Sequence, residues 1–107
     1  MGYRVLLFTT DFCANCRMTK PVVHSACSAK GIEVVEIDPT NEVGGLIDVW
    51  QLKQVPTVVA VEVSESGENG REIGRQVGGM TPSAIEEFLL HADRVTAKDV
   101  NERNGTS

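Results

Sequence analysis

The chain has 107 residues, 41% of them hydrophobic and 23% charged, with a formal net charge of −5. That length suits one compact domain, and the composition is ordinary for a soluble globular protein. The acidic balance argues against nucleic acid or a membrane surface as partner, since both need a positive surface. No apolar run approaches the roughly 18–20 residues of a membrane helix. The charge is uneven: up to Lys30, four basic residues stand against Asp11 alone, and the rest of the chain is strongly acidic. The first hydrophobic run, to Phe8, is too short for a secretory signal, so the expected address is cytoplasmic.

Arg4 to Thr9 is apolar and β-branched and reads as a buried strand. Asp11-Phe12-Cys13 breaks the run. Ala14 to Ala29 takes helical spacing, with Met18, Val22, Ala26 and Ala29 on one stripe and Arg17, Lys20, His24 and Ser28 opposite. Pro21 lies inside this helix and Gly31 ends it. Ile32 to Ile37 reads as a second strand. Glu42 to Leu52 reads as a weaker helix, with Trp50 as a packing residue. Thr57 to Val63 is the clearest strand. Ser64 to Gly70 reads as a polar turn ending in Asn69-Gly70, and Arg71 to Val77 as the returning hairpin strand. Thr81-Pro82 opens a last helix with Ile85, Phe88, Leu89, Ala92 and Val95 inward. The domain is expected to span residues 1–97, with 98–107 a frayed tail. The order β-α-β-α-β-β-α implies an α/β fold: one mixed four-stranded sheet with helices on both faces.

Cys13 and Cys16 fall where a strand gives way to a helix. Helix N-termini carry unsatisfied N–H groups and about half a positive charge, and both favour thiolate over thiol. Cys13 is expected to be the exposed attacking sulfur and Cys16 the shielded resolving one. A closed zinc site would need two more ligands, and Cys27, His24 and His91 have no paired spacing, so no metal is expected. Cys-x-x-Cys beside a βαβ pattern reads as redox chemistry. Cys27 reads as a small core residue. Pro56, before the strongest strand, is tolerated there in any case. A cis Val55–Pro56 bond would instead present the Val55 backbone to an extended partner.

Together these residues resemble the thioredoxin family, and more loosely the glutaredoxins. The carriers are Cys13-Ala14-Asn15-Cys16 with Pro21 five residues on, Val55-Pro56-Thr57, Val77-Gly78 and Ile37-Asp38, from about Tyr3 to Val95. The resemblance implies a thioredoxin-like fold, a cis Pro56 facing the sulfurs, and a redox-active Cys13–Cys16 disulfide. It implies reduction of protein disulfides, with substrate against Phe12, Val55, Pro56 and Gly78. The electron donor it implies is a flavin- and NADPH-dependent thioredoxin reductase, and ribonucleotide reductase is a family-level client. No bound cofactor is expected, and the chain is expected to be a monomer. Ala14-Asn15 replaces the usual Gly-Pro, which bears on redox poise. The first strand leads straight to the cysteines, without the strand and helix that open a full thioredoxin. The family's buried Asp–Lys pair matches Leu7 and Val34, both apolar here. The alternatives are a glutaredoxin-like glutathione-dependent enzyme and a non-catalytic binding module of the same fold. Asp11, where glutaredoxins carry basic residues, disfavours the first.

Overall fold

The computed structural model describes residues 2–10, 13–39 and 50–105, with side chains described as far as residue 97. Its elements are β1 (Tyr3–Phe8), α1 (Ala14–Lys30), β2 (Val34–Ile37), β3 (Thr57–Val63), β4 (Asn69–Val77) and α2 (Pro82–Gly105). The strands form one mixed sheet in the order β2-β1-β3-β4. β2 lies parallel to β1, and β1–β3 and β3–β4 are antiparallel. The parallel pair needs a crossover, which α1 supplies; the last two strands close as a hairpin.

β1 and β3 are continuous apolar runs because they occupy the middle of the sheet and are covered on both sides. Alternation assigns their side chains. Val5 and Leu7, with Val58 and Ala60, meet Val23 and Cys27 of α1, Met80, and Ile85, Phe88, Leu89 and Ala92 of α2. Leu6, Phe8, Val59 and Val61 point the other way and gather Val35, Ile37, Trp50, Leu52 and Val55. On that side the Phe8 and Trp50 rings meet at 5.6 Å and 51°, a tilted contact favoured by their quadrupoles. Both described helices lie on the first side. Most of the helix expected at 42–52 falls outside the described residues. Trp50 and Gln51 form a turn, with Gln51 at φ 53°, so helix does not extend to Leu52.

The termini of α1 follow from sequence. Cys13 is the N-cap, and Gly31 ends the helix at φ 71°, its N–H reaching the Ser28 carbonyl while Ile32 N–H reaches that of Cys27. Only glycine adopts this conformation without strain. The buried face differs from the expected one. It is Cys16, Thr19, Val23 and Cys27, whereas Met18 is 73% exposed and Ala29 is exposed. Thr19 is inward because its Oγ1 accepts the Met80 N–H at 3.3 Å, which satisfies a polar group that would otherwise be costly to bury.

Three boundaries differ as well. β2 begins at Val34, two residues later than expected. β4 begins at Asn69: the turn is made by Gly67 at φ 86°, with the Ser64 hydroxyl accepting the Glu68 N–H. Helix α2, capped by Thr81 Oγ1 on the Ala84 N–H, continues through residues 98–105, where fraying is expected from sequence. Lys98, Glu102 and Arg103 are good helix formers and lengthen a formed helix at little cost. Among the described residues, no helix is long and apolar enough to cross a membrane.

Candidate active site

β1 ends at Phe8, but Thr9 still donates to the Ile37 carbonyl at 3.0 Å, so the chain leaves the sheet in a defined direction. The Thr10 carbonyl accepts the Cys13 N–H at 3.4 Å, and Cys13 opens α1. Cys13 is partly exposed and Cys16 is fully buried; both are free thiols. The Cys16 N–H points at Cys13 Sγ, 3.1 Å away. A sulfur anion accepts such a donor more strongly than a thiol does. The helix start therefore places both a backbone donor and the positive end of the helix dipole at Cys13.

Cys13 Sγ also lies 3.7 Å from the Val55 carbonyl oxygen, to which the thiol donates. The Val55–Pro56 bond is cis, as the sequence resemblance implies, and Pro56 is buried. Two hydrogen bonds hold this loop: Thr57 Oγ1 donates to the Gln54 carbonyl at 2.7 Å, and Gly78 N–H to the Pro56 carbonyl at 2.8 Å. Gly78 has φ 94°, and a Cβ there would meet Gln54 Nε2 at 3.2 Å. Glycine is required by conformation first and by space second. Among the described residues, the Val55 N–H has no backbone partner.

The structure thus brings Cys13, Cys16, Val55, Pro56 and Gly78 to one end of the sheet. Phe12 and Asp11 lie outside the described residues. Asn15, Thr19 and Gln54 also shape the site and were not anticipated: a Cβ at Gly79 would lie 3.6 Å from Thr19 Oγ1 and 3.9 Å from Asn15 Cβ. Thr19 was legible in principle, since it lies one helical turn after Cys16 on the same face.

Burial is the main reason the Cys16 thiol is pushed from 9.0 up to about 11; its hydrogen bond with Cys13 adds to this, a backbone bond with Thr10 opposes it, and Lys20 pulls it down. Cys27, buried in the core on α1, is also raised to about 11, by burial alone. Leu7 and Val34 share the helix-side core, but they are not cross-strand partners. Leu7 pairs with Glu36, and Val34 with Val5. Glu36 is therefore the residue beside Leu7, and it is surface-lying, with Lys20 Nζ at 3.4 Å and His24 Nε2 at 3.5 Å. Among the described residues no group of three or more His, Cys, Asp or Glu side chains is arranged to hold a metal ion.

Comparison with solved structures returns thioredoxins. Oxidised mitochondrial thioredoxin 3 from Saccharomyces cerevisiae matches with TM-score 0.62 and 24% identity, over 79% of this chain and 74% of that one. A mutant thioredoxin from Halobacterium salinarum matches with TM-score 0.69 and 22% identity, over 84% and 74%. A chain from a study of thiol resolution in yeast mitochondrial 1-Cys peroxiredoxin via the glutathione and thioredoxin systems matches with TM-score 0.64 and 22% identity, over 80% and 74%. No protein-family model matches the chain, and no curated protein matches it. The structural matches show that the chain has the thioredoxin-like α/β fold.

Proposed function

We propose that this chain is a dithiol–disulfide oxidoreductase that reduces protein disulfides through Cys13 and Cys16. The observation that carries the reading is the position of Cys13 Sγ between the Cys16 N–H and the Val55 carbonyl. The exposed sulfur has its anion-supporting donor on one side. On the other is a backbone edge against which an extended substrate can pair. Fold alone would not carry it, since one fold hosts many activities.

The steps follow from this arrangement. The Cys13 thiolate attacks one sulfur of a substrate disulfide; that S–S bond breaks and the other substrate sulfur leaves as thiolate. Cys13 is now in a mixed disulfide, with the substrate chain along Val55 and over Pro56 and Gly78. Cys16 loses its proton and attacks Cys13 Sγ, releasing the second substrate sulfur and leaving a Cys13–Cys16 disulfide. Two electrons have passed to the substrate. A flavin- and NADPH-dependent reductase returns them, in a reducing compartment such as the cytoplasm. Phe12 completes the substrate contact. The protein works as a monomer and binds no cofactor of its own.

The test is insulin reduction driven by dithiothreitol. Cys13→Ser abolishes turnover, and Cys16→Ser accumulates mixed disulfides on Cys13. If iodoacetamide at neutral pH labels Cys16 in preference to Cys13, the two roles are assigned wrongly. Glutathione is expected to be a poor donor, and rapid reduction in a coupled glutathione reductase assay would move the chain to glutathione-dependent chemistry.

A further inference from the structure

We infer that Lys20, held in place by Glu36, is a positioning residue for the resolving thiol, its ammonium supporting the Cys16 thiolate from one helical turn away. The inference rests on the reading that Cys16 resolves a mixed disulfide on Cys13.

Cys16 must ionise to attack, yet it is fully buried and β1 brings only Leu6, Leu7 and Phe8 to this part of the sheet. Lys20 follows Cys16 by four residues on α1. Side chains at that spacing lie on one face, with Cβ atoms about 5–6 Å apart. A free surface lysine has four rotatable bonds and spends its time in water. Lys20 is instead tethered: its Nζ is 3.4 Å from Glu36 Oε1, although its side chain remains 38% exposed. Glu36 is placed by register, opposite Leu7 on the edge strand β2. Its second oxygen takes His24 Nε2 at 3.5 Å, one further turn along α1. Cys16, Lys20 and His24 thus form one ridge of the helix, and a single carboxylate ties its charged part to the sheet.

The charges oppose one another, so order of approach decides the sign. Lys20 lies on the Cys16 row, whereas Glu36 is joined to that row through Lys20. The nearer charge counts more, because the interaction falls with distance and is screened by water. Among the described residues, the charged or titratable groups at this end of the helix side include Cys13, Lys20 and His24 from α1, Glu36 from β2 and Asp38 just after it; β1 contributes the apolar Leu6, Leu7 and Phe8. Of these, Cys13 and Lys20 act on the Cys16 thiol directly. As an exposed ion pair, Lys20–Glu36 contributes little to stability, so its consequence is where it holds the ammonium. In the resolving step the Cys16 proton goes to water. The thiolate bonds to Cys13 Sγ, the Cys13–substrate bond breaks, and the substrate thiolate departs with the electron pair. Lys20 keeps its proton throughout.

The experiment uses the full chain and two readouts. One is the pH titration of the Cys16 ¹³Cβ resonance in reduced protein. The other is stopped-flow release of thionitrobenzoate from its mixed disulfide with Cys13. Lys20→Met is expected to raise the Cys16 midpoint by roughly half a pH unit and slow resolution at pH 7 about threefold. Lys20→Arg restores both. Glu36→Gln acts in the same direction by less, and adds nothing in the Lys20→Met background. An unmoved titration in Lys20→Met overturns the inference. Faster resolution in Glu36→Gln, or additivity of the two changes, overturns the anchoring by Glu36. Failure of wild-type protein to reduce insulin would instead remove the functional reading, while the titration would still report on Lys20.

Discussion

Cys27 lies in the core on α1, fully buried and raised from 9.0 to about 11 by burial alone. That makes it a source of alkaline instability. The sign follows from proton linkage. The unfolded chain loses this proton near pH 9 and the folded chain only near pH 11, so between those values the unfolded state is favoured by deprotonation. Stability is therefore intact below pH 9 and falls until about pH 11. The full loss is two pH units at about 1.36 kcal/mol each, or about 2.7 kcal/mol. Cys27→Ala removes the titration but also one buried sulfur, which costs about 1 kcal/mol at neutral pH. The variant should be the less stable protein at pH 7 and the more stable one at pH 11, with the curves crossing close to about pH 10. Urea unfolding of both proteins, with tris(carboxyethyl)phosphine present to keep the thiols reduced, measures this directly. Groups that do not feel Cys27 cancel in the difference; Tyr3 is the exception, because the Cys27 charge is the smallest of the causes that raise its phenol, after burial and Asp93. A stability difference that stays constant from pH 8 to pH 11 would refute the argument and show that Cys27 ionises as freely in the fold as outside it.

Resolution by Cys16 should accelerate about tenfold per pH unit between pH 6 and 8, because burial, the largest cause of its raised value, persists when Cys13 is in a mixed disulfide; a flat stopped-flow profile would mean that another group takes the proton. Gly78→Ala should cost about 1–2 kcal/mol from its positive φ. Adding Gln54→Ala should recover little of that, since the nearby amide is a flexible end, and full recovery in thermal denaturation would assign the cost to crowding. Thr19→Val should lose about 1–3 kcal/mol by stripping the Met80 N–H of its acceptor. Thr19→Ser should lose clearly less in the same urea titration; equal losses would assign the effect to packing.

What sequence reveals here depends on how much a residue's neighbours matter. β3 is legible to the residue, because a run buried on both faces needs no partner to identify it. The stripe of α2 is legible as far as Ala92 for a similar reason. Helix α1 is harder. Its inward face includes Thr19 and two cysteines, and Met18 is outward, so hydrophobicity alone selects the wrong row. What turns Thr19 inward is a backbone N–H sixty-one positions away, which no local pattern contains. The hairpin shows the same limit. Asn69-Gly70 is a strong turn signal, but a serine hydroxyl and Gly67 make the turn earlier and leave Asn69 paired with Val63. The dithiol spacing was plain. The cis geometry at Pro56 was legible only through the family resemblance, since a proline at a strand start is compatible with either isomer. The pairing of Leu7 with Glu36 required the register itself.

That register also explains why the site exists where it does. Ile37, Phe8, Thr57 and Val77 are successive partners across all four strands. The chain leaves Phe8 toward Cys13, arrives at Thr57 through Val55 and Pro56, and leaves Val77 at Gly78. Three segments remote in sequence therefore emerge from one row of the sheet. The irregularities in β3–β4 pairing fall beyond Ala60, so the ladder next to the site is regular. A slip of one residue would exchange the two faces of a strand. Here the faces are not equivalent. Phe8 and Leu6 meet Trp50 and Leu52 on one side, while Leu7 and Val5 meet the helices on the other. The difference in what each face must fit opposes the slip. The alternation that packs the core is thus also what sets Cys13 Sγ within reach of the Val55 carbonyl.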